Sequence, residues 1–220
     1  MKKFFLSTIV IMSILTGCQK VVIYENEDAI ISPDGCNPNI YIYKDTPLPG
    51  DSDFARSQVN YYSVETIIQS VQDKGDLEIL SNDIVSSFIN PYDRVYAIYY
   101  WIDENIDYDY VMLEQEYKCE WQNSDIVLQR KLGVCEGFSN LFCVLCKHAN
   151  INAVKIWGKV SYDATTSHAW NAVEIEGEWY VLDVTWDENK TKGINYFLIN
   201  PEYFYQSHIP NEAFKKWKLF

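Results

Sequence analysis

Basic residues are scarce in this chain. Its 18 Lys and Arg stand against 31 Asp and Glu, a net charge of −13 over 220 residues. Nucleic acids and anionic lipid surfaces are bound through clustered cations, so neither is expected as a partner. Long apolar runs are missing too. Residues 4–15 are apolar, but the run is too short for a comfortable transmembrane helix. No internal repeat is visible. Zinc-finger spacing is absent as well: Cys143 and Cys146 are separated by two residues inside a helical pattern, and no second Cys/His pair follows. Asp103, Asn105, Asp107 and Glu114 copy part of a calcium-loop spacing, but Tyr108 stands where that loop needs glycine. No metal and no cofactor is therefore expected.

What is present is enough apolar material for a packed domain. Hydrophobic residues make up 48% and aromatics 15%, with 17 tyrosines, which excludes a disordered chain. The first residues stand apart from that domain. Lys2 and Lys3, the apolar run and Thr16-Gly17-Cys18 read as an export signal. The ending Leu15-Thr16-Gly17-Cys18 resembles a bacterial lipobox, which implies cleavage before Cys18 and lipidation of its thiol. A multiply acylated cysteine would hold the domain at the cell envelope. Gln19 in place of Asp would favour the outer membrane in a Gram-negative cell. The mature form would carry a charge near −15. Export permits disulfides, and once Cys18 and Cys135 are set aside, Cys36 with Cys119 is one pairing among those left open.

The expected organisation is a signal peptide at 1–17, a tether and wrapping segment at 18–60, and the main domain at 61–220. Pro33-Asp34-Gly35, Asn37-Pro38 and Pro47-Leu48-Pro49-Gly50 mark turns in the tether, with short strands at 21–24 and 40–43. A helix is expected around Val64, Ile67, Ile68 and Val71. Another begins at Asn90-Pro91 and carries the stripe Tyr92, Val95, Ile98, Tyr99 and Ile102. A short helix opens at Ser124-Asp125 and runs through Leu128. A longer one starts at Cys135, with Phe138, Leu141, Phe142, Leu145 and Ala149 behind it. Strands follow at 153–160, 168–176, 178–185 and 194–199, with a tight turn at Glu176-Gly177. Helices first and an antiparallel sheet afterwards predict an α+β fold, the cysteine helix lying on the sheet.

Three residues then stand out: Cys135, His168 and Asp183. If the hairpin closes symmetrically about Glu176-Gly177, Thr185 faces His168. Asp183 becomes the diagonal neighbour of His168 on one face, within side-chain reach. A one-residue slip would separate them. Cys135, in the first turn of its helix, meets the positive end of the dipole and unpaired amides, which favour the thiolate. Thiol, imidazole and carboxylate are the parts of an activated nucleophile. His148, late on the cysteine helix, reads as solvated. His208, before Ile209-Pro210, reads as fixing the C-terminal loop.

The stretch Leu132-Gly133-Val134-Cys135-Glu136-Gly137-Phe138, with His168-Ala169-Trp170-Asn171 and Trp179-Tyr180-Val181-Leu182-Asp183-Val184-Thr185-Trp186, resembles the three motifs of the transglutaminase-like superfamily. Its bacterial and kyphoscoliosis-peptidase branches are the most similar. The resemblance implies a papain-like fold at 61–220 and a triad of Cys135, His168 and Asp183. It implies attack on an amide carbonyl, a thioester, and release to water or to an amine. The substrate class would be a peptide or protein, cell-wall peptide included. Glu136 departs from the Trp of the animal cross-linking enzymes, which favours hydrolysis over transfer. Trp121 or Gln122 could supply an oxyanion donor beside the Cys135 amide, and Trp101 and Trp170 are expected near the cleft. An inactive surface scaffold is the alternative from another class.

Overall fold

Short polar side chains set where the helices begin. The computed structural model describes residues 47–114, 118–161, 163–188 and 196–218. Helices α1 (Ser52–Ser57), α2 (Tyr61–Ile68), α3 (Leu77–Val85) and α4 (Pro91–Asn105) follow Asp51, Asn60, Asp76 and Asn90. Each of those side chains accepts first-turn amides. Such a cap is worth about 1 kcal/mol. Pro91 occupies the first turn of α4, where its missing N–H costs nothing. Then come β1 (Asp107–Tyr108), α5 (Tyr110–Glu114), a 3-10 turn at Cys119–Gln122, α6 (Ser124–Arg130), β2 (Leu132–Gly133) and α7 (Cys135–His148). The second half supplies β3 (Ala153–Val160), β4 (Asp163–Ile175), β5 (Glu178–Leu182), α8 (Val184–Glu188), α9 (Pro201–Phe204), β6 (His208–Pro210) and a last 3-10 turn, Glu212–Trp217. Helices α1 and α3 fall where the apolar pattern alone predicts none.

The main sheet has the order β5-β4-β3-β6, antiparallel at every junction. The fold class is α+β, as expected. Helix α7 is packed between α3, α4 and α6 on one side and β3 and β4 on the other. Phe138, Leu141, Phe142 and Leu145 are enclosed there, each contributing on the order of 2 kcal/mol by burial.

The β4–β5 hairpin closes at Glu176 and Gly177, with φ values of 55° and 87°. Two positive φ values make the primed turn whose twist suits a hairpin. Ile175 lies opposite Glu178, and the register holds to Asn171 opposite Leu182. There the expected strand 178–185 is corrected. β5 stops at Leu182, because the Asp183 side chain accepts the amides of Thr185 (3.0 Å) and Trp186 (3.3 Å) and turns the backbone into α8. Thr185 is therefore never paired with His168. β4 also starts five residues earlier than the expected 168. The expected strand 194–199 is absent over its described part, 196–199, where Leu198 has φ of 43° and leaves the extended region. The sheet edge is taken instead by β6.

Residues 47–60 already wrap the domain. Trp179 N–H donates to Leu48 O (2.7 Å), Gly50 N–H to Trp179 O (3.1 Å) and Ser52 Oγ to Ile199 O (3.2 Å). The expected signal peptide, Cys18, Cys36 and the strands at 21–24 and 40–43 lie outside the described residues. Cys119 is disulfide-bonded. Cys135, Cys143 and Cys146 are free. No helix among the described residues is long and apolar enough to cross a membrane.

Candidate active site

Cys135 is the first residue of α7. Val134 takes the capping position in extended backbone and offers no side-chain oxygen to the first-turn amides. Those amides, and the positive end of a 14-residue helix, are left to the thiol. Cys135 is half-buried, whereas Cys143 and Cys146 are enclosed. Burial pushes the Cys143 thiol up to about 12 and raises Cys146 as well. Buried thiols of that kind are inert.

Gln122 fastens the start of this helix. Its Oε1 accepts the Val134 amide (2.9 Å), its backbone oxygen accepts from Asn140 Nδ2 (2.8 Å), and its Nε2 donates to Met112 Sδ (3.2 Å). A Cβ at residue 137 would lie 2.5 Å from Gln122 Oε1, so Gly137 is what lets the amide in. Gln122, a candidate oxyanion donor on sequence grounds, uses its amide oxygen on the helix start and its amide nitrogen on Met112. Trp121 is half-buried, with the Arg130 guanidinium 4.1 Å and Lys118 Nζ 4.5 Å from its ring. Trp101 and Trp170, expected near the cleft, are both fully enclosed. Trp101 belongs to the helical core, where its Nε1 donates to Val71 O (3.4 Å). Trp170 packs under the site against Phe204 and His208. Their apolar area drives them inside rather than to a cleft wall.

His168 joins the two ends of the site. Its Nε2 lies 2.6 Å from Asp183 Oδ2, and the Cys135 side chain is among the groups that favour its protonated form. Burial alone would strip the ring of its proton. The Asp183 charge and hydrogen bond, joined by Cys135, outweigh burial and hold His168 raised at about 10. Asp183 is 1% exposed. Burial would raise it, but His168 and then His208 hold it well below the usual carboxylate range. At neutral pH the pair is therefore an imidazolium and a carboxylate. The Trp186 ring stacks beside His168 at 5.4 Å.

Two features were not legible beforehand. His208 reaches Asp183 Oδ2 with its Nε2 at 3.1 Å. The available signal was Pro210, which in a sheet marks an edge strand. The second is a buried ion pair beside the nucleophile, Lys155 Nζ to Glu136 Oε1 at 3.0 Å, with the side chains 7% and 2% exposed. Lys155 stands at an inward-facing position of β3, which is a signal that it has a partner.

His168, Asp183 and His208 present three ligand atoms within 4.8 Å of one another. Separations of 2.6 and 3.1 Å are hydrogen-bond lengths, so the cluster reads as a proton chain rather than a metal cage. A groove of about 590 Å³ runs beside the second half of α7, past Asn123, Asn140, Lys147 and Lys155. None of Cys135, His168 or Asp183 lines it.

A helix-borne thiol, an imidazole and a carboxylate on an α+β frame define a cysteine-enzyme-like domain. Residues 79–184 match the model of the transglutaminase-like superfamily. It is 27% identical over 178 residues to human kyphoscoliosis peptidase, covering 72% of this chain and 26% of the relative. The mouse protein of that name is 28% identical over 165 residues, 66% of this chain and 24% of its own. The chain thus spans about a quarter of the length of these relatives. Among solved structures, the periplasmic domain of TgpA from Pseudomonas aeruginosa is similar at 15% identity, over 59% of this chain and 49% of that one, with a TM-score of 0.40.

Proposed function

We propose that this protein is a cysteine enzyme acting on amide bonds of peptides or proteins. The observation that carries the reading is His168, held 2.6 Å from Asp183 and raised by both Asp183 and the Cys135 side chain at the start of α7. In this reading the Cys135 thiolate attacks the amide carbonyl. The His168 imidazolium gives its proton to the leaving nitrogen, and a thioester remains. Water, deprotonated by His168, then releases the acid and restores the thiol. Asp183 keeps Nε2 protonated and the ring aimed. The Cys135 amide is the default oxyanion donor.

Hydrolysis is favoured over transfer to an amine, because Glu136 with Lys155 stands where the cross-linking enzymes carry tryptophan. The signal-like residues 1–17 and Cys18 support a lipid-anchored form at the cell envelope, where cell-wall peptide is one substrate within reach. A protein-glutamine transglutaminase and an inactive scaffold are the rival readings. The test is turnover by the purified protein of a glutamine-rich protein substrate, with and without a labelled primary amine. Hydrolysis products that vanish in Cys135→Ala support the proposal. Label incorporation into the substrate favours transamidation. No turnover and no acyl-enzyme with any peptide offered supports the scaffold.

A further inference from the structure

Asp183 is shared by two imidazoles. His208 Nε2 lies 3.1 Å from Oδ2, the same oxygen that holds His168. The other oxygen, Oδ1, is taken by the Thr185 and Trp186 amides. His208 has no exposed surface. Its ring stacks on Phe204 at 3.8 Å and 13°, and Trp186 closes another side at 4.3 Å. Edge strand β6 holds it in register, opposite Val160. The ring reaches the carboxylate, and no hydrogen bond joins it to the thiol among the described residues.

The surroundings choose its tautomer. An ionised carboxylate only accepts, so an attractive contact needs the proton on His208 Nε2. Nδ1 of the neutral ring is then an acceptor. Ser207 Oγ, 2.9 Å away, can donate to it in place of Phe204 O, which the same hydroxyl reaches at 3.1 Å. Phe204 O lies 3.1 Å from Nδ1 but already accepts the Ser207 amide. Both nitrogens are thus satisfied in the neutral ring, and burial favours that form.

We propose that His208 is a positioning residue: a neutral imidazole that donates from Nε2 to Asp183 and fixes the carboxylate so that it orients His168. The proposal rests on the Cys135–His168–Asp183 reading and extends it with a fourth side chain. It also carries a pH consequence. Protonation at Nδ1, with Phe204 O as a ready acceptor, makes the ring a cation that competes with His168 for one carboxylate. Among the described residues, the titratable groups facing His208 are Asp183 ahead of α8, His168 on β4 and Tyr196 ahead of α9. β3 presents Val160, and Glu212, Lys215 and Lys216 of the last turn are exposed. The acid limb of Cys135 reactivity therefore contains the titration of His208.

The test compares the parent with His208→Gln, which keeps an N–H donor but cannot titrate, and His208→Phe, which keeps a ring but donates nothing. The readout is the rate constant of Cys135 alkylation by iodoacetamide from about pH 4 to about pH 10. Expected are a loss of about tenfold or more on the plateau for His208→Phe, and a plateau within about threefold of the parent for His208→Gln. The His208 contribution to the acid limb should disappear in His208→Gln, leaving a single inflection. Equal losses in both variants, or none in either, overturn the proposal. If either variant fails to fold, ¹⁵N NMR of the imidazoles in the unmodified protein decides. An Nε2–H tautomer for His208 supports the proposal, and an Nδ1–H tautomer overturns it. That spectrum reads the His208–Asp183 bond even if the parent Cys135 reacts like an ordinary thiol, the result that would sink the enzymatic reading instead.

Discussion

Asp183 meets His168 at 2.6 Å from just beyond the strand that delivers it. β5 ends at Leu182, and the carboxylate divides its oxygens. Oδ1 caps α8, and Oδ2 faces His168 and His208. The turn into α8 and the aim of His168 therefore depend on one side chain, and substitutions can separate the two roles.

Asp183→Asn keeps a good helix cap but loses the charge that sustains an imidazolium. Cys135 alkylation and any amide turnover should fall by about a thousandfold or more, as with the orienting carboxylate of other triads. The thermal midpoint should move only a few degrees. Asp183→Ala should lose both activity and cap. Comparable activity in Asp183→Asn and the parent would contradict an orienting role.

The raised His168 ties stability to pH. The folded protein holds this proton more tightly than the unfolded chain, whose imidazole titrates near about 6.5. The contribution is complete below about pH 6.5 and is lost as pH rises through about 10. Asp183 is shifted the other way, so its share is present above the ordinary carboxylate range and fades as acid protonates it. Urea midpoints measured in parallel should fall more steeply toward high pH in the parent than in His168→Gln. Parallel curves would remove the pair from the stability of the fold.

Lys155→Met should strand the buried Glu136 carboxylate, at a cost of about 3–5 kcal/mol. Glu136→Gln with Lys155→Met should recover much of that loss, because no uncompensated charge remains. Chemical denaturation of the two variants and the parent measures it. An equally unstable double variant would mean that packing, not charge, sets the effect.

Gly158 lies opposite His168 on one side and Pro210 on the other. A Cβ there would come 2.2 Å from Ile209 O and 2.3 Å from the Trp170 ring. Neither a strand backbone nor an enclosed indole yields cheaply. Gly158→Ala should cost roughly 1–3 kcal/mol in urea unfolding and should also slow Cys135, since β6 carries His208. Loss of stability without any loss of reactivity would uncouple β6 from the site.

Much of this was legible because it is local. Asn90-Pro91 and the apolar stripe behind it specify α4. Glu176-Gly177 specifies the hairpin, and the period of two then puts Asp183 on the face of His168. What was not legible depends on contacts distant in sequence. Nothing near Asp183 distinguishes a strand residue from a helix cap, since both readings suit Leu-Asp-Val-Thr. His208 enters the site only because β6 docks on β3, where it lies opposite Val160. Gln122 reads as a free amide until Gly137 is seen to make room for it. Residue type does not tell that Trp101 and Trp170 are both enclosed.

The central claim is a thiol paired with a protonated imidazole. Its most direct measurement is the second-order rate of Cys135 alkylation by iodoacetamide against pH, with Cys135→Ala subtracting the other cysteines. A paired thiolate should react at about pH 6 within about threefold of its rate at about pH 8.5. A rate that falls about a hundredfold over that interval, as for an unpaired thiol, would contradict it.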